Sequence, residues 1–224
     1  MKKYELLIDD TIDVLGVTLF RIKALISFGT VEKGDLGGYV KKEDNLSHSG
    51  NAWIYGNARV SGDAWVSGNA EISDDAWVYG NARIYGNARV SGNAWIYGNA
   101  RVYGDARISG NAEISDDAWV YGNARVSGDA WVSGNAEISD DAWVYGNARI
   151  YGNADYMVFK NHWSSGRYFT YTRSNKMWKV GCFYGNGQEL IKKAYKDSET
   201  SGKNYEAYVK FVEKLEEINN EKHN

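Results

Sequence analysis

The chain has 224 residues, a net charge of −3 at pH 7, 43% hydrophobic residues, one cysteine (Cys182) and no proline. So mild a charge excludes a DNA mimic and a general polyanion binder, which leaves nucleic acid an unfavoured partner, and a lone cysteine excludes a disulfide framework or a cysteine metal site. No apolar run is long enough to span a membrane and the N-terminus lacks a signal-peptide core, so the expected setting is the cytoplasm, with no membrane partner.

The length suits one or two domains, and charge and pattern divide it further. Residues 1–47 carry a net −1, residues 48–155 a net −6 and residues 156–224 a net +4. In the first segment Tyr4–Ile8 and Val17–Ile22 predict strands, with Asp9-Asp10 and Leu15-Gly16 as turn signals. Gly34-Asp35-Leu36-Gly37-Gly38-Tyr39-Val40 leads onward.

From His48 to Asp155 nearly every residue belongs to a six-residue unit: Val/Ile, Tyr/Ser, Gly, Asn/Asp, Ala, then Trp, Arg or Glu. Seventeen units run without a gap from Ile54 to Asp155, and an imperfect eighteenth opens the series with His48 in the aliphatic slot. Within a unit Ala and Val/Ile alternate with the large residue between them, the inside–outside–inside pattern of a strand. Gly-Asn or Gly-Asp then suits a tight left-handed corner. Strand plus corner in six residues is too short for a hairpin sheet, but it builds a coil whose strands stack in parallel at about 4.8 Å. The absence of proline fits an uninterrupted backbone ladder, and stacked Asn side chains can form ladders at the corners.

This pattern resembles the left-handed parallel β-helix of the hexapeptide transferase superfamily, in which three units make one triangular coil. The resemblance implies a mainly β fold: about six triangular coils over residues 48–155, a prism roughly 25–30 Å long. An open apolar coil end recruits other chains, so residues 1–47 are expected to form an N-terminal β cap. The strings Leu19-Phe20-Arg21-Ile22-Lys23-Ala24-Leu25, Gly34–Val40, Asn45-Leu46-Ser47 and Gly181-Cys182-Phe183-x-Gly185 also resemble bacterial and prophage proteins labelled hexapeptide acyltransferases.

One block is copied: Ser61–Ala88 is identical to Ser127–Ala154, an offset of 66 residues, or three coils and two further faces. Each copied side chain therefore falls on a different face, which suits a generic stacking unit better than a pocket tied to one face. Residues 156–224 predict a small α+β domain. Its strands are Tyr156–Phe159, Tyr168–Arg173 and Met177–Phe183, followed by a short helix over Gly187–Tyr195. From Asn204 an amphipathic helix is expected, with Tyr205, Tyr208, Val209, Val212, Leu215 and Ile218 packing on the strands or on a second copy of the chain.

General-base chemistry and zinc binding both need a placed imidazole, and the sequence holds only His48, His162 and His223. None lies in the regular coils after the first, so His162 and His48 are weak catalytic candidates and neither a metal nor a cofactor is expected. The pairs Asp74-Asp75, Asp116-Asp117 and Asp140-Asp141 read as solvated corners.

Folding three units per coil sorts the outward residues into columns. The first face offers an anion strip of Arg89, Arg107 and Arg125 between Trp53, Glu71 and Trp143. The second carries Trp77, Tyr79, Trp95 and Tyr97, and the third Arg83, Tyr85, Arg101, Tyr103, Trp119 and Tyr121. Rings and guanidinium groups in one patch stabilise a coil by stacking, and they also have the composition of binding hot spots. The expected function is a non-catalytic scaffold, of prophage type, that binds a protein partner and self-associates into a homo-oligomer. Two alternatives stand beside it. One is a phage counter-defence protein that blocks a host effector or sequesters a small anionic ligand. The other is an acyltransferase-like enzyme.

Overall fold

The computed structural model describes residues 1–221 and separates them into two compact units that meet in sequence at Asp155 and Tyr156. His223 lies outside the described residues.

The first unit is a parallel β-solenoid of about six turns. Seventeen two-residue rungs, from Trp53–Ile54 to Arg149–Ile150, stack in parallel at an 18-residue offset. The Ala and Val/Ile from Ala52 to Ile150 are all buried and fill the interior, Ala154 of the last unit being exposed, and removing such side chains from water is the main force holding the coil. Corner glycines take positive φ, for example 67° at Gly98 and 70° at Gly104.

The N-terminal segment departs from expectation in three places. Asp9-Asp10 is no turn: strand β1 (Tyr4–Val14) runs through it with a bulge between Leu7 and Thr11, and pairs antiparallel with β2 (Val17–Ala24). The turn is Leu15-Gly16, both left-handed. Strand β3 (Leu36–Val40) pairs antiparallel with β2 but parallel with the Arg59–Val60 rung, so the hairpin and the second face form one nine-stranded sheet. The solenoid thus begins before residue 48. Leu46, not His48, stands over Val66 in the aliphatic slot, fully buried, because the first turn is two residues longer than the repeat.

Each end of the solenoid leaves backbone groups without a neighbouring coil, and single side chains meet several of them. At the start, Asn45 Nδ2 donates to the Gly62 and Ala64 carbonyls (3.2 and 2.8 Å), and the buried Lys3 Nζ to that of Ala52 (2.8 Å). At the finish, Asn153 Oδ1 accepts from Glu137 N–H (2.8 Å) and the Asp155 carboxylate from Tyr151 and Gly152 N–H (2.7 and 3.0 Å).

The second unit is a four-stranded antiparallel sheet (Tyr156–Lys160, Tyr168–Thr172, Met177–Val180, Phe183–Gly185) with helices α1 (Gly187–Asp197) and α2 (Glu199–Glu221). The expected single strand Met177–Phe183 is two, because Gly181 turns at φ 55°. Phe169, Tyr171, Trp178, Leu190, Ala194, Tyr205, Val209 and Val212 make its core. α2 begins five residues before Asn204, and Ile218, 40% exposed, stays outside that core.

Candidate functional site

On the first face the column Trp53, Glu71, Arg89, Arg107, Arg125, Trp143 is in register. Three arginines one rung apart repel, and two of them have found relief. Arg89 Nε lies 3.4 Å from Glu71, and Arg125 sits 5.3 Å over the Trp143 ring. Arg107 stands between them with no ion pair or ring contact among the described residues. Trp53, placed outward by the pattern, is only 1% exposed because Tyr4 and Phe28 close over it.

The second face stacks Arg59, Trp77, Trp95, Glu113, Trp131 and Arg149. Trp77 meets Trp95 edge to face at 5.7 Å and Tyr79 at 4.8 Å, while Tyr79 and Tyr97 stack at 4.9 Å, 7° from parallel. Two of the rings' polar groups are tied within the coil. Trp77 Nε1–H donates to Ser61 Oγ (3.3 Å), and the Tyr97 hydroxyl to the Glu113 carboxylate. Burial and that bond push the Tyr97 phenol up to about 12, so it stays a donor at neutral pH. The patch keeps apolar surface in the open, with Trp95 46% exposed.

A groove of about 310 Å³ continues this patch from Trp77 and Tyr79 beneath the hairpin, lined by Val14, Leu15, Val17 and Leu19. Leu15 is 89% exposed, held out by the left-handed turn. Sequence reasoning missed these four aliphatic residues because they lie some sixty positions from the rings. Only the chain of pairings from β2 through β3 to the Arg59 and Trp77 rungs brings them alongside.

The third face stacks Trp65, Arg83, Arg101, Trp119 and Glu137. Tyr85, Tyr103 and Tyr121 form a continuous stack, 4.9 and 5.0 Å apart and within 3° of parallel, and Arg101 lies 4.8 Å over Trp119. These rings are spent largely on one another, so this face is more a brace than an open patch.

Two of the three histidines, His48 and His162, lie among the described residues. His48 Nδ1 accepts the Lys3 backbone N–H (3.1 Å), its Nε2 lies 2.7 Å from Glu43, and its ring stacks on Tyr4 at 4.5 Å. An imidazole nitrogen that accepts a backbone N–H has no lone pair left to take a substrate proton. His162 is exposed in a turn, its ring contact being Trp163 at 5.2 Å.

At the corners Asp74, Asp116 and Asp140 themselves adopt positive φ (60°, 56° and 56°). Asp74 and Asp116 accept the N–H of Gly92 and Gly134, the next corners above (2.8 and 3.1 Å). Their carboxylates are thus used along the coil, and among the described residues no three metal-binding side chains converge. No described helix is long and apolar enough to cross a membrane.

This geometry defines a β-solenoid repeat protein with aromatic and arginine columns outside. In agreement, a family model described as the YdcK β-solenoid repeat matches residues 52–68, 82–98, 94–106, 106–122 and 118–134, all within the coil. No curated protein matches the chain.

Proposed function

We propose that the chain is a non-catalytic binding protein that engages protein surfaces through its second face, a second copy of itself being the first such partner. The observation that carries this reading is the open Trp77–Tyr79–Trp95–Tyr97 patch running into the groove under Leu15. Aromatic rings beside an apolar recess are the anchors of protein interfaces. A surface whose rings repeat at 4.9 Å is matched in period by another solenoid of the same rung spacing. Replacing Trp95 and Tyr97 together by alanine should weaken self-association at least about tenfold, as loss of a hot spot does. Sedimentation velocity at low micromolar concentration reads this, and unchanged association in the double variant overturns the proposal.

A second reading, sequestration of a small anion as a phage counter-defence protein would do, is favoured by the uncommitted Arg107 guanidinium. Co-purified nucleotide whose binding is lost in Arg107→Ala would establish it. The acyltransferase reading would be revived by acyl-CoA turnover that disappears in His162→Ala.

A further inference from the structure

The second unit contains a groove of about 580 Å³, independent of the binding face proposed above. Tyr171 and Trp178, opposite each other on paired strands with rings 5.0 Å apart, form its floor, and Val209 and Val212 of α2 one wall. Tyr171 is only 4% exposed, yet its hydroxyl makes no hydrogen bond with any described residue. The ring is enclosed, and its oxygen opens onto the groove it lines.

The mouth is acidic. Glu213, Glu216 and Glu217 share one face of α2. Arg173 holds Glu216 at 2.7 Å and Lys214 holds Glu217 at 3.0 Å, whereas Glu213 has no ion pair among the described residues. Among the described residues Lys176 is the one cation lining the groove. The α1 N-terminus on the opposite wall is closed by its own capping box, in which Asn186 and Glu189 each accept the other's backbone N–H at 2.9 Å. Burial, with Glu216 and Glu213 nearby, pushes Tyr171 up to about 12, so its oxygen stays a neutral acceptor and donor.

We propose that this groove binds an alkyl ammonium group, with the aliphatic stem against Trp178, Val209 and Val212 and the ammonium shared between the Glu213 carboxylate and the Tyr171 oxygen. Carboxylate, phenol oxygen and ring face all favour a cation, and the apolar floor favours a carbon stem over a bare ion. The same chemistry is carried by a lysine side chain on another protein and by a free amine.

The test is a titration of the full chain followed at the Trp178 indole N–H by NMR. Its probes are n-pentylamine and N-acetyl-lysine methylamide, with n-pentanol and N-acetyl-norleucine methylamide as their neutral counterparts. Saturable shifts are expected for the amines, at least tenfold weaker for the neutral probes, and at least tenfold weaker for the amines in Glu213→Gln. Saturation by the lysine amide points to a lysine-bearing partner, and saturation by pentylamine alone to a free amine. Tyr171→Phe should weaken amine binding while leaving the spectrum folded. No shift by either amine, equal affinity for neutral probes, or unchanged binding in Glu213→Gln, a surface change that leaves the core intact, overturns the proposal.

Discussion

At the scale of single residues, the side chains that finish the coil do work the repeat cannot do. Lys3 donates to the orphaned Ala52 carbonyl, and its replacement by methionine should lower stability by about 1–3 kcal/mol, measured by urea unfolding. Burial draws the Lys3 ammonium down from 10.5 to about 8. Between those values the unfolded chain keeps a proton that the native one sheds, so this group's contribution rises with pH. The stability gap between wild type and Lys3→Met should therefore widen from pH 8 to pH 10.5; a gap that narrows would contradict the assignment. The corner ladders show a similar economy of groups. Asn51 donates to Asn69, Asn69 to Asn87 and Asn87 to Asp105 (3.1, 3.0 and 3.0 Å), and there the donation stops because a carboxylate has no N–H to pass on. Asp105→Asn restores a donor toward the next turn and should raise the urea midpoint. The asparagine columns were legible in the six-residue spacing. Lys3 and Asn45 were not, because a cap answers to one coil end and repeats nowhere.

At the scale of elements, the corner and the rung set different tolerances. Gly56 and Gly98 both hold positive φ (58° and 67°), so alanine is strained at either. At Gly56 the added carbon meets the Asp74 carbonyl at 3.8 Å, an ordinary contact, whereas at Gly98 it falls 2.7 Å from the Asp116 backbone nitrogen. Gly98→Ala should therefore lose more stability than Gly56→Ala, by about 1 kcal/mol or more in paired thermal melts; equal losses would mean the corners yield freely. The columns themselves were readable, since three units per turn is enough to place Trp77 under Trp95 and Arg101 under Trp119. What the spacing could not supply was cover: it set Trp53 outward like every other large residue, but Tyr4 and Phe28 seal it. Nor could it show that His48 leaves the aliphatic slot, because the two extra residues of the first turn carry no pattern.

At the scale of the whole molecule, a solenoid is a one-dimensional object whose turns see only their neighbours. Removing 18 residues from the middle returns every rung to its own face, whereas removing six rotates all later faces by one. Deleting the 18 residues 103–120, which spares Trp77 to Tyr97, should keep the far-ultraviolet spectrum and self-association. Deleting the six residues 84–89 should keep the spectrum but lose association, because Trp95 then leaves the second face and no longer lies above Trp77. The copied block Ser61–Ala88 and Ser127–Ala154 already shows this tolerance: Trp65 lies on the third face and its copy Trp131 on the second. The second unit was legible as strands followed by helices. Its groove was not, because that depends on α2 passing Trp178. The central claim, that the second face is where this protein meets another, is tested most directly by fluorine NMR of the chain labelled with 5-fluorotryptophan at its nine tryptophans. As concentration rises from low to high micromolar, the Trp95 and Trp77 signals should move or broaden together while Trp65 and the sealed Trp53 hold still. Nine unmoved signals, or movement confined to Trp65, would contradict it.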